Sequence, residues 1–357
     1  MPHASVIVFY FIHVSNDTVT LTYKDAGVDT ASIDRSLDAV GRLISSTHGL
    51  QKKARIVSGF GHYAGVVEVP GGDMIATHTD GVGTKSMIAS KMERYDTIGI
   101  DCIAMNANDI VCVGATPISF VDYIAANRSD PGILEEIVSG LVRGARMASV
   151  PIVGGETAIM PDLLAGDEFT FDLAGTIVGL VPRDGMMLGD AIRPDDVIVG
   201  AASTGIHSNG YTLARRALSD YSLEESIDGV GVLGEALLEP TAIYSGPVLK
   251  CIEEADVCGL AHITGGSFTK LLRLKNIGYE IDSLPDMPPI MRLIQDQGVS
   301  DIEMYKTFNM GIGFCVIAPE DQVSAISGIF GRYDIKTYEI GRIVPEVGVR
   351  VNSEKIA

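Results

Sequence analysis

The eight residues His78-Thr79-Asp80-Gly81-Val82-Gly83-Thr84-Lys85 place a carboxylate, two glycines, a hydroxyl and an ammonium on one turn. A strand-like run precedes them at 74–77 and a helix-like run follows at 86–90. Glycine lets backbone N–H groups come close to an anion, and a helix N-terminus adds a favourable dipole. Asp80 suits a hard cation, and Lys85 can meet a phosphate as a point charge. The chemistry implied is the handling of a metal-bound phosphate. The order Gly-Thr-Lys differs from the Gly-Lys-Thr of a Walker A loop, so the turn is not a P-loop.

Other stretches carry compatible groups. A helical pattern over 97–113 puts Asp101, Asn108 and Asp109 on one face, with Ile103, Ala104, Ala107, Ile110 and Val111 opposite. That stripe is either a solvated helix face or a wall for Mg²⁺ and phosphate oxygens, and Asp80 nearby favours the wall. Gly154-Gly155-Glu156-Thr157 follows a short apolar strand at 151–153 and reads as a tight turn or as a site with one carboxylate. Ser203-Thr204-Gly205-Ile206-His207-Ser208-Asn209-Gly210 ends a strand and opens a helix, so its amides can bind an anion. His207 within it is either structural or a phosphate donor and proton carrier. Thr264-Gly265-Gly266 and Thr307-Phe308-Asn309-Met310-Gly311-Ile312-Gly313 are two further small-residue turns. Lys24-Asp25-Ala26-Gly27 falls outside any firm element and reads as a lid over a phosphate. Acid- and glycine-bearing turns without an evident nucleophile point to ATP-dependent chemistry run by positioning and electrostatics. The acceptor is not named by these residues.

The elements that must position these groups belong to a mixed α/β protein. A chain of 357 residues has room for two cores, and 46% hydrophobic with 20% charged residues describes a globular protein. The net charge of −19 argues against nucleic acid as the main partner, and the absence of Trp argues against a base-stacking platform. Cys102, Cys112, Cys251, Cys258 and Cys315 form no C-x-x-C pair, which favours small buried hydrophobes in a reducing cytoplasm over disulfides or zinc. The apolar run at 6–14 is too short to span a bilayer, so no membrane is expected as a partner. Residues 1–21 read as an appendage, either disordered or the product of a start placed upstream of the true one. Helices are expected at 32–46, 97–113, 133–148, 210–219, 244–254, 268–274 and 321–330. Strands are expected at 64–70, 74–77, 118–125, 151–153, 169–181, 197–202, 258–263, 313–317 and 336–343. Gly71-Gly72-Asp73 reads as a hairpin turn between two of these strands, and 182–196 as the connection between domains 22–185 and 186–357.

Taken together, Tyr23 to Asp29, Gly59-Phe60-Gly61, the 79–85 turn, Asn108-Asp109, Gly154 to Thr157 with Met160-Pro161, the 205–210 loop, His262 to Gly266 and the 307–313 turn resemble, in order, the phosphoribosylformylglycinamidine cyclo-ligase (aminoimidazole ribonucleotide synthetase) family. The resemblance runs from about residue 22 to the C-terminus. It implies a homodimer of two-domain α/β subunits whose N-terminal sheets pair into a barrel, with ATP in a cleft there. It further implies that ATP phosphorylates the formyl-amide oxygen of formylglycinamidine ribonucleotide. The amidine nitrogen then attacks that carbon and expels phosphate to close an imidazole. Mg²⁺ is expected, with a monovalent cation such as K⁺ as a helper.

Carried over residue by residue, the resemblance puts Lys24, Asp25, Asp80, Gly81, Gly83, Thr84, Lys85, Asn108, Asp109, Gly154, Gly155 and Glu156 around ATP, with Asp80 and Asp109 as metal ligands. It puts His207, Ser208, Asn209, Gly210, Thr264, Gly265, Gly266 and Asn309 at the substrate, and suggests Lys24 and His207 for the chemistry. Three positions depart from the family pattern: Ser267 for a third glycine, Lys306 for an arginine, and Asp162 where a glycine is common. The runner-up is a thiamine-monophosphate kinase-like enzyme of the same fold. A non-catalytic nucleotide-binding regulator is the alternative from another class.

Overall fold

Two β-sheets organise the chain, one in each half of the sequence. The computed structural model describes residues 21–27 and 30–357, so the expected appendage at 1–21 lies outside the described residues except for Leu21. The first sheet comprises β1 (Arg55–Ser58), β2 (Gly65–Glu68), β3 (Met74–Gly81), β4 (Thr116–Ala126), β5 (Ile152–Ile159) and β6 (Phe171–Val181). Their order is β1-β2-β3-β6-β4-β5. Four helices accompany it: α1 (Thr30–Ser45), α2 (Lys85–Met92), α3 (Ile98–Val111) and α4 (Pro131–Ala148). β2 and β3 form the expected hairpin, with Val69 N–H bonded to Asp73 O across the turn. β4 and β5 are parallel, which requires a crossover, and α4 supplies it. α4 starts where its sequence dictates: Asp130 accepts from Ile133 N–H as N-cap and Pro131 takes the first helical position.

Alternation along β4 and β6 separates two faces of this sheet. Phe120, Ile124, Phe171, Leu173 and Ile177 point inward and are buried. Val121, Tyr123 and Leu180 (45% exposed) point outward, with Val153 (64%) on the edge strand β5. Against the inner face lies α3, buried along its whole length. The polar stripe of this helix is therefore interior, not a solvated face, because it meets the second half of the chain.

That half contains β7 (Val197–Ala202), α5 (Tyr211–Ala217), a small hairpin of β8 (Ser226–Ile227) and β9 (Gly231–Val232), α6 (Leu233–Leu238), α7 (Ser245–Glu254) and β10 (Gly259–His262). It continues with a 3₁₀ turn (Ser267–Arg273), β11 (Gly278–Ile281), α8 (Pro289–Asp296), α9 (Asp301–Thr307), β12 (Ile312–Ala318), α10 (Val323–Gly331), β13 (Thr337–Val344), β14 (Gly348–Val351) and β15 (Glu354–Lys355). The second sheet runs β10-β12-β7-β13-β11-β14-β15, and its centre is the all-buried β12 and the nearly all-buried β7. One contiguous apolar cluster joins the cores of both halves. Residues 21–27 lie on the second half: Leu21 N–H donates to Gly298 O and Tyr23 N–H to Glu303 Oε1, both at 3.0 Å. Among the described residues no sheet closes on itself, so the expected barrel is not a feature of the single chain. Among the described residues, no helix is long and apolar enough to cross a membrane.

Candidate active site

Two residues apart on β3, His78 and Asp80 share the inner face and meet α3. Asn106 of α3 clamps the strand end, its Oδ1 accepting from Asp80 N–H and its Nδ2 donating to Asp80 O, both at 3.1 Å. One turn further along α3, Asp109 comes alongside. Ligand atoms of His78, Asp80 and Asp109 all lie within 4.8 Å of one another. His78 Nε2 is buried without a hydrogen-bond partner, 3.5 Å from Asp109 Oδ2. Burial, and then the neighbouring Asp109 charge, push the Asp80 carboxyl above its ordinary range. Two carboxylates crowded in this way, beside an orphaned imidazole nitrogen, make a set that suits a divalent cation.

The second half of the chain closes the site from the other side. His262, the last residue of β10, contacts Asp109 Oδ1 through Nδ1 at 2.6 Å. Asn108 orients that ring. Its Oδ1 accepts from Tyr244 N–H at 2.7 Å, so its Nδ2 is the donor, to Ala242 O at 2.8 Å and to His262 Nε2 at 3.3 Å. His262 Nε2 must then be the acceptor nitrogen, and Nδ1 carries the proton toward Asp109. Burial lowers the His262 pKa and keeps the ring neutral. Burial also pushes Asp109 up, but the His262 hydrogen bond and the nearby positive charge more than offset it and hold the carboxyl at about 2. Half-buried Lys270 completes the cluster by donating to Thr264 Oγ1.

Several residues expected at ATP or substrate instead bind the two halves together. Lys85 is fully buried, donating to Asp101 Oδ1 at 2.9 Å and to Glu239 O at 2.7 Å. Asp101 Oδ1 also accepts from Thr241 N–H and Thr241 Oγ1, both at 2.7 Å, and from Ser208 Oγ at 3.1 Å. Lys85 and Ser208 thus face an interior joint, because a buried ammonium requires a partner carboxylate and Asp101 stands sixteen residues on. His207 is 1% exposed, and its Nε2 accepts from Thr204 N–H at 3.2 Å, closing its own loop. Burial lowers its pKa well below the usual histidine value, so the ring is neutral. Asn309 is also interior: it donates to Gly205 O at 2.8 Å and accepts from Ser203 Oγ and Gly311 N–H at 3.0 Å. The open side of the loop, Ser203-Thr204-Gly205, lines a cavity of about 260 Å³ with Pro288 and Pro289.

The remaining expected residues divide. Gly81 N–H donates to Asp80 Oδ1 at 2.7 Å, Gly83 has φ +55°, and Thr84 Oγ1 lies 3.4 Å from Thr212 Oγ1, so this turn also bridges the halves. Gly210 caps α5, and Asn209 Oδ1 would lie 3.0 Å from a Cβ at Gly265, which leaves little room there for a side chain. Gly266 has φ +88° and opens the 3₁₀ turn. Gly154, Gly155 and Glu156 do not form a turn; they are interior positions of the exposed edge strand β5. A Cβ at Gly155 would clash with Asp122 Oδ1 at 2.4 Å, which is why glycine stands inside a strand. Asp80 pairs with Gly175, Gly175 with Asp122, and Asp122 with Gly155, whereas Glu156 pairs with Tyr123. Directly paired residues share a face, so Glu156 lies on the opposite side of the sheet from Asp80. Lys24 is exposed on the 21–27 segment, while the Asp25 carboxylate accepts from Thr22 Oγ1 at 2.6 Å and its carbonyl from Arg216. Of the three departures, Ser267 adopts φ +46° and donates to Phe308 O at 2.6 Å, and Lys306 and Asp162 are exposed.

Residues 61–181 match the model described as AIR synthase related protein, N-terminal domain, and residues 193–353 match its C-terminal counterpart. The phosphoribosylformylglycinamidine cyclo-ligase of Thermococcus gammatolerans is 44% identical over 336 residues, covering 93% of this chain and 98% of that one. The chain belongs to this cyclo-ligase family. The Methanobrevibacter smithii cyclo-ligase is 47% identical over 312 residues, 86% of this chain and 90% of its own. Thiamine-monophosphate kinase from Stenotrophomonas maltophilia K279a shares the fold, with a TM-score of 0.62 at 19% identity over 88% of this chain and 95% of that one.

Against the expectations from the cyclo-ligase motifs, the structure adds His78, Asn106, Asp122, His262 and Lys270 to the neighbourhood of Asp80 and Asp109. The period-2 spacing of His78 and Asp80 was a usable signal for the first. Nothing local marks Lys270, which follows the Thr264-Gly265-Gly266 turn by one helical turn.

Proposed function

We propose that this chain closes the imidazole ring of formylglycinamidine ribonucleotide at the expense of ATP, giving aminoimidazole ribonucleotide, ADP and phosphate. The observation that carries the proposal is the convergence of His78, Asp80 and Asp109 within 4.8 Å, in a member of the cyclo-ligase family. The inner face of β3 supplies two of these groups and α3 the third, so the cluster is set by the pairing of rigid elements. Asp80 and Asp109 would hold Mg²⁺ with waters, which suits an ion that keeps part of its hydration shell. Bound there, the ion would neutralise phosphate charge. His262 keeps Asp109 ionised and fixed, and Asn106 fixes the Asp80 backbone. The glycine-bearing turn 81–84 places backbone amides beside the carboxylates, and the buried Lys85–Asp101 joint holds that turn against the 203–210 loop. The monovalent cation remains an expectation of the resemblance.

The reaction joins an amidine nitrogen to the formyl carbon and transfers the formyl oxygen to phosphate, so the product is lighter than the substrate by one water. Such chemistry needs positioned charge and exclusion of bulk water rather than a protein nucleophile. We further propose a cytoplasmic homodimer. Val121, Tyr123, Leu180 and Val153 give the first sheet an apolar outer face, and such a face is commonly covered by a partner.

The test is turnover by the purified chain with Mg·ATP, offered formylglycinamidine ribonucleotide or thiamine monophosphate. ADP together with a product lighter by one water from the ribonucleotide supports the proposal. ADP formed only with thiamine monophosphate moves the chain to the kinase reading. Nucleotide binding with no turnover on either favours a regulator.

A further inference from the structure

Lys85 is the lysine that the 78–85 turn offers to a phosphate, yet its ammonium is fully buried on Asp101 and Glu239 O. A site holding two carboxylates for a polyanionic substrate still needs a protein cation on its open side. Lys270 sits on the 3₁₀ turn (Ser267–Arg273) that follows β10, half-buried, with its ammonium within Coulombic reach of both Asp109 and Asp80. It donates to Thr264 Oγ1 and, among the described residues, makes no other hydrogen bond. An ammonium has three donors, so further N–H groups remain for an incoming oxyanion. The neighbouring Arg273 is engaged over the Tyr63 ring, 5.6 Å from its centroid.

We infer that Lys270 is the phosphate-binding cation of this site. Without nucleotide it hydrogen-bonds Thr264, and its charge acts on Asp80 and Asp109 from beyond ion-pair distance. With nucleotide present its free N–H groups would meet the transferred phosphoryl group, because a divalent cation held by Asp80 and Asp109 would repel the ammonium while a phosphate would attract it. Thr264 anchors the lysine in both situations. The inference rests on the ATP-dependent reading above and adds to it the protein group that meets the phosphate.

The two parts of the role predict opposite shifts on removal of the charge. In Lys270→Met, Mn²⁺ binding to the nucleotide-free protein, followed by electron paramagnetic resonance, should tighten, by a factor on the order of ten. Binding of a non-hydrolysable ATP analogue should weaken, and kcat/KM for Mg·ATP should fall about 100-fold or more, as for loss of one charge-stabilising donor. Lys270→Gln repeats the measurement if the methionine variant does not fold, and Lys270→Arg should restore most of the nucleotide affinity. Mn²⁺ affinity that is unchanged or weaker in the uncharged variants, with analogue binding intact, would overturn the inference and leave Lys270 a structural anchor for the Thr264 turn. If the wild-type chain does not turn over formylglycinamidine ribonucleotide, the proposed function fails, but the Mn²⁺ and analogue titrations still decide the role of Lys270.

Discussion

The side-chain amide of Asn108 stands 3.3 Å from His262 Nε2, and this contact decides which nitrogen of the ring carries the proton. Because Tyr244 N–H fixes Asn108 Oδ1 as an acceptor, the amide can only donate to His262, and the ring turns its Nδ1–H to Asp109. Asn108→Asp should replace that donor with a carboxylate. Both ring nitrogens would then face acidic groups, and His262 should become an imidazolium at neutral pH. Ring ¹⁵N chemical shifts read the change directly; a ring still neutral and protonated on Nδ1 would refute the tautomer assignment. The lost hydrogen bond to Ala242 O should also cost about 1–3 kcal/mol of stability.

Asp80→Asn removes one anionic oxygen from the proposed metal set and relieves the crowding with Asp109. Use of Mg·ATP should weaken at least about tenfold, equivalent to about 1.4 kcal/mol. Steady-state kinetics across Mg²⁺ concentrations measures it, and an unchanged Mg²⁺ dependence would take Asp80 out of the metal site.

The Lys85–Asp101 pair is wholly buried, so breaking it from one side leaves an uncompensated charge. Lys85→Met should destabilise the chain by roughly 3–5 kcal/mol, and Lys85→Met combined with Asp101→Leu should recover part of that loss. Denaturant unfolding of the three proteins tests this. A stable Lys85→Met protein with weakened ATP binding would return Lys85 to the phosphate.

These partners mark the limit of what was legible in the sequence. β7 spans the expected 197–202 because an unbroken apolar run between turn-rich segments permits little else. β5 was foreshortened, since Gly154-Gly155 looks like a turn until Asp122 on the neighbouring strand is known to occupy the space of a Cβ. The short helices α6, α8 and α9 carry too few turns for periodicity to register. At the site, Asp80 and Asp109 were legible as acids beside glycines. Their partner His262 enters from 153 residues away, and the burial of Lys85 depends on a carbonyl 154 residues on. Local spacing carries no information about such distant partners.

His207 adds a pH dependence with a definite sign. Its pKa is lowered in the folded state by burial, with the nearby Lys85 charge adding to it, so between that value and the unfolded value of about 6.5 the unfolded chain binds more protons. Stability should therefore rise with pH through this window and fall on acidification below about 6.5, by up to about 1.4 kcal/mol per pH unit for this residue. His262, lowered in the same direction, adds to the trend. His207→Gln should flatten the curve of unfolding free energy against pH; an unaltered slope would mean that the ring is not kept neutral.

The outer face of the first sheet gives a test of assembly. Val121→Asp with Leu180→Asp places two charges on that face, where both native side chains are exposed in the single chain. Light scattering should show a shift from dimer to monomer, with far-ultraviolet circular dichroism unchanged. A monomeric wild-type protein would refute the dimer.

β6 lies between β3 and β4 although it is the last strand of its sheet to be synthesised. During translation β1 to β5 emerge as two separated groups with no strand to join them, and the sheet completes only when Val181 has cleared the ribosome. β7 has the reverse situation: it is the first strand of the second sheet, yet both its neighbours, β12 and β13, come more than a hundred residues later. The nascent chain must therefore carry an apolar, unpaired β7 until nearly its last segment is made. This makes the interval between residues 202 and 312 the period in which the growing protein is most dependent on chaperones and most exposed to aggregation.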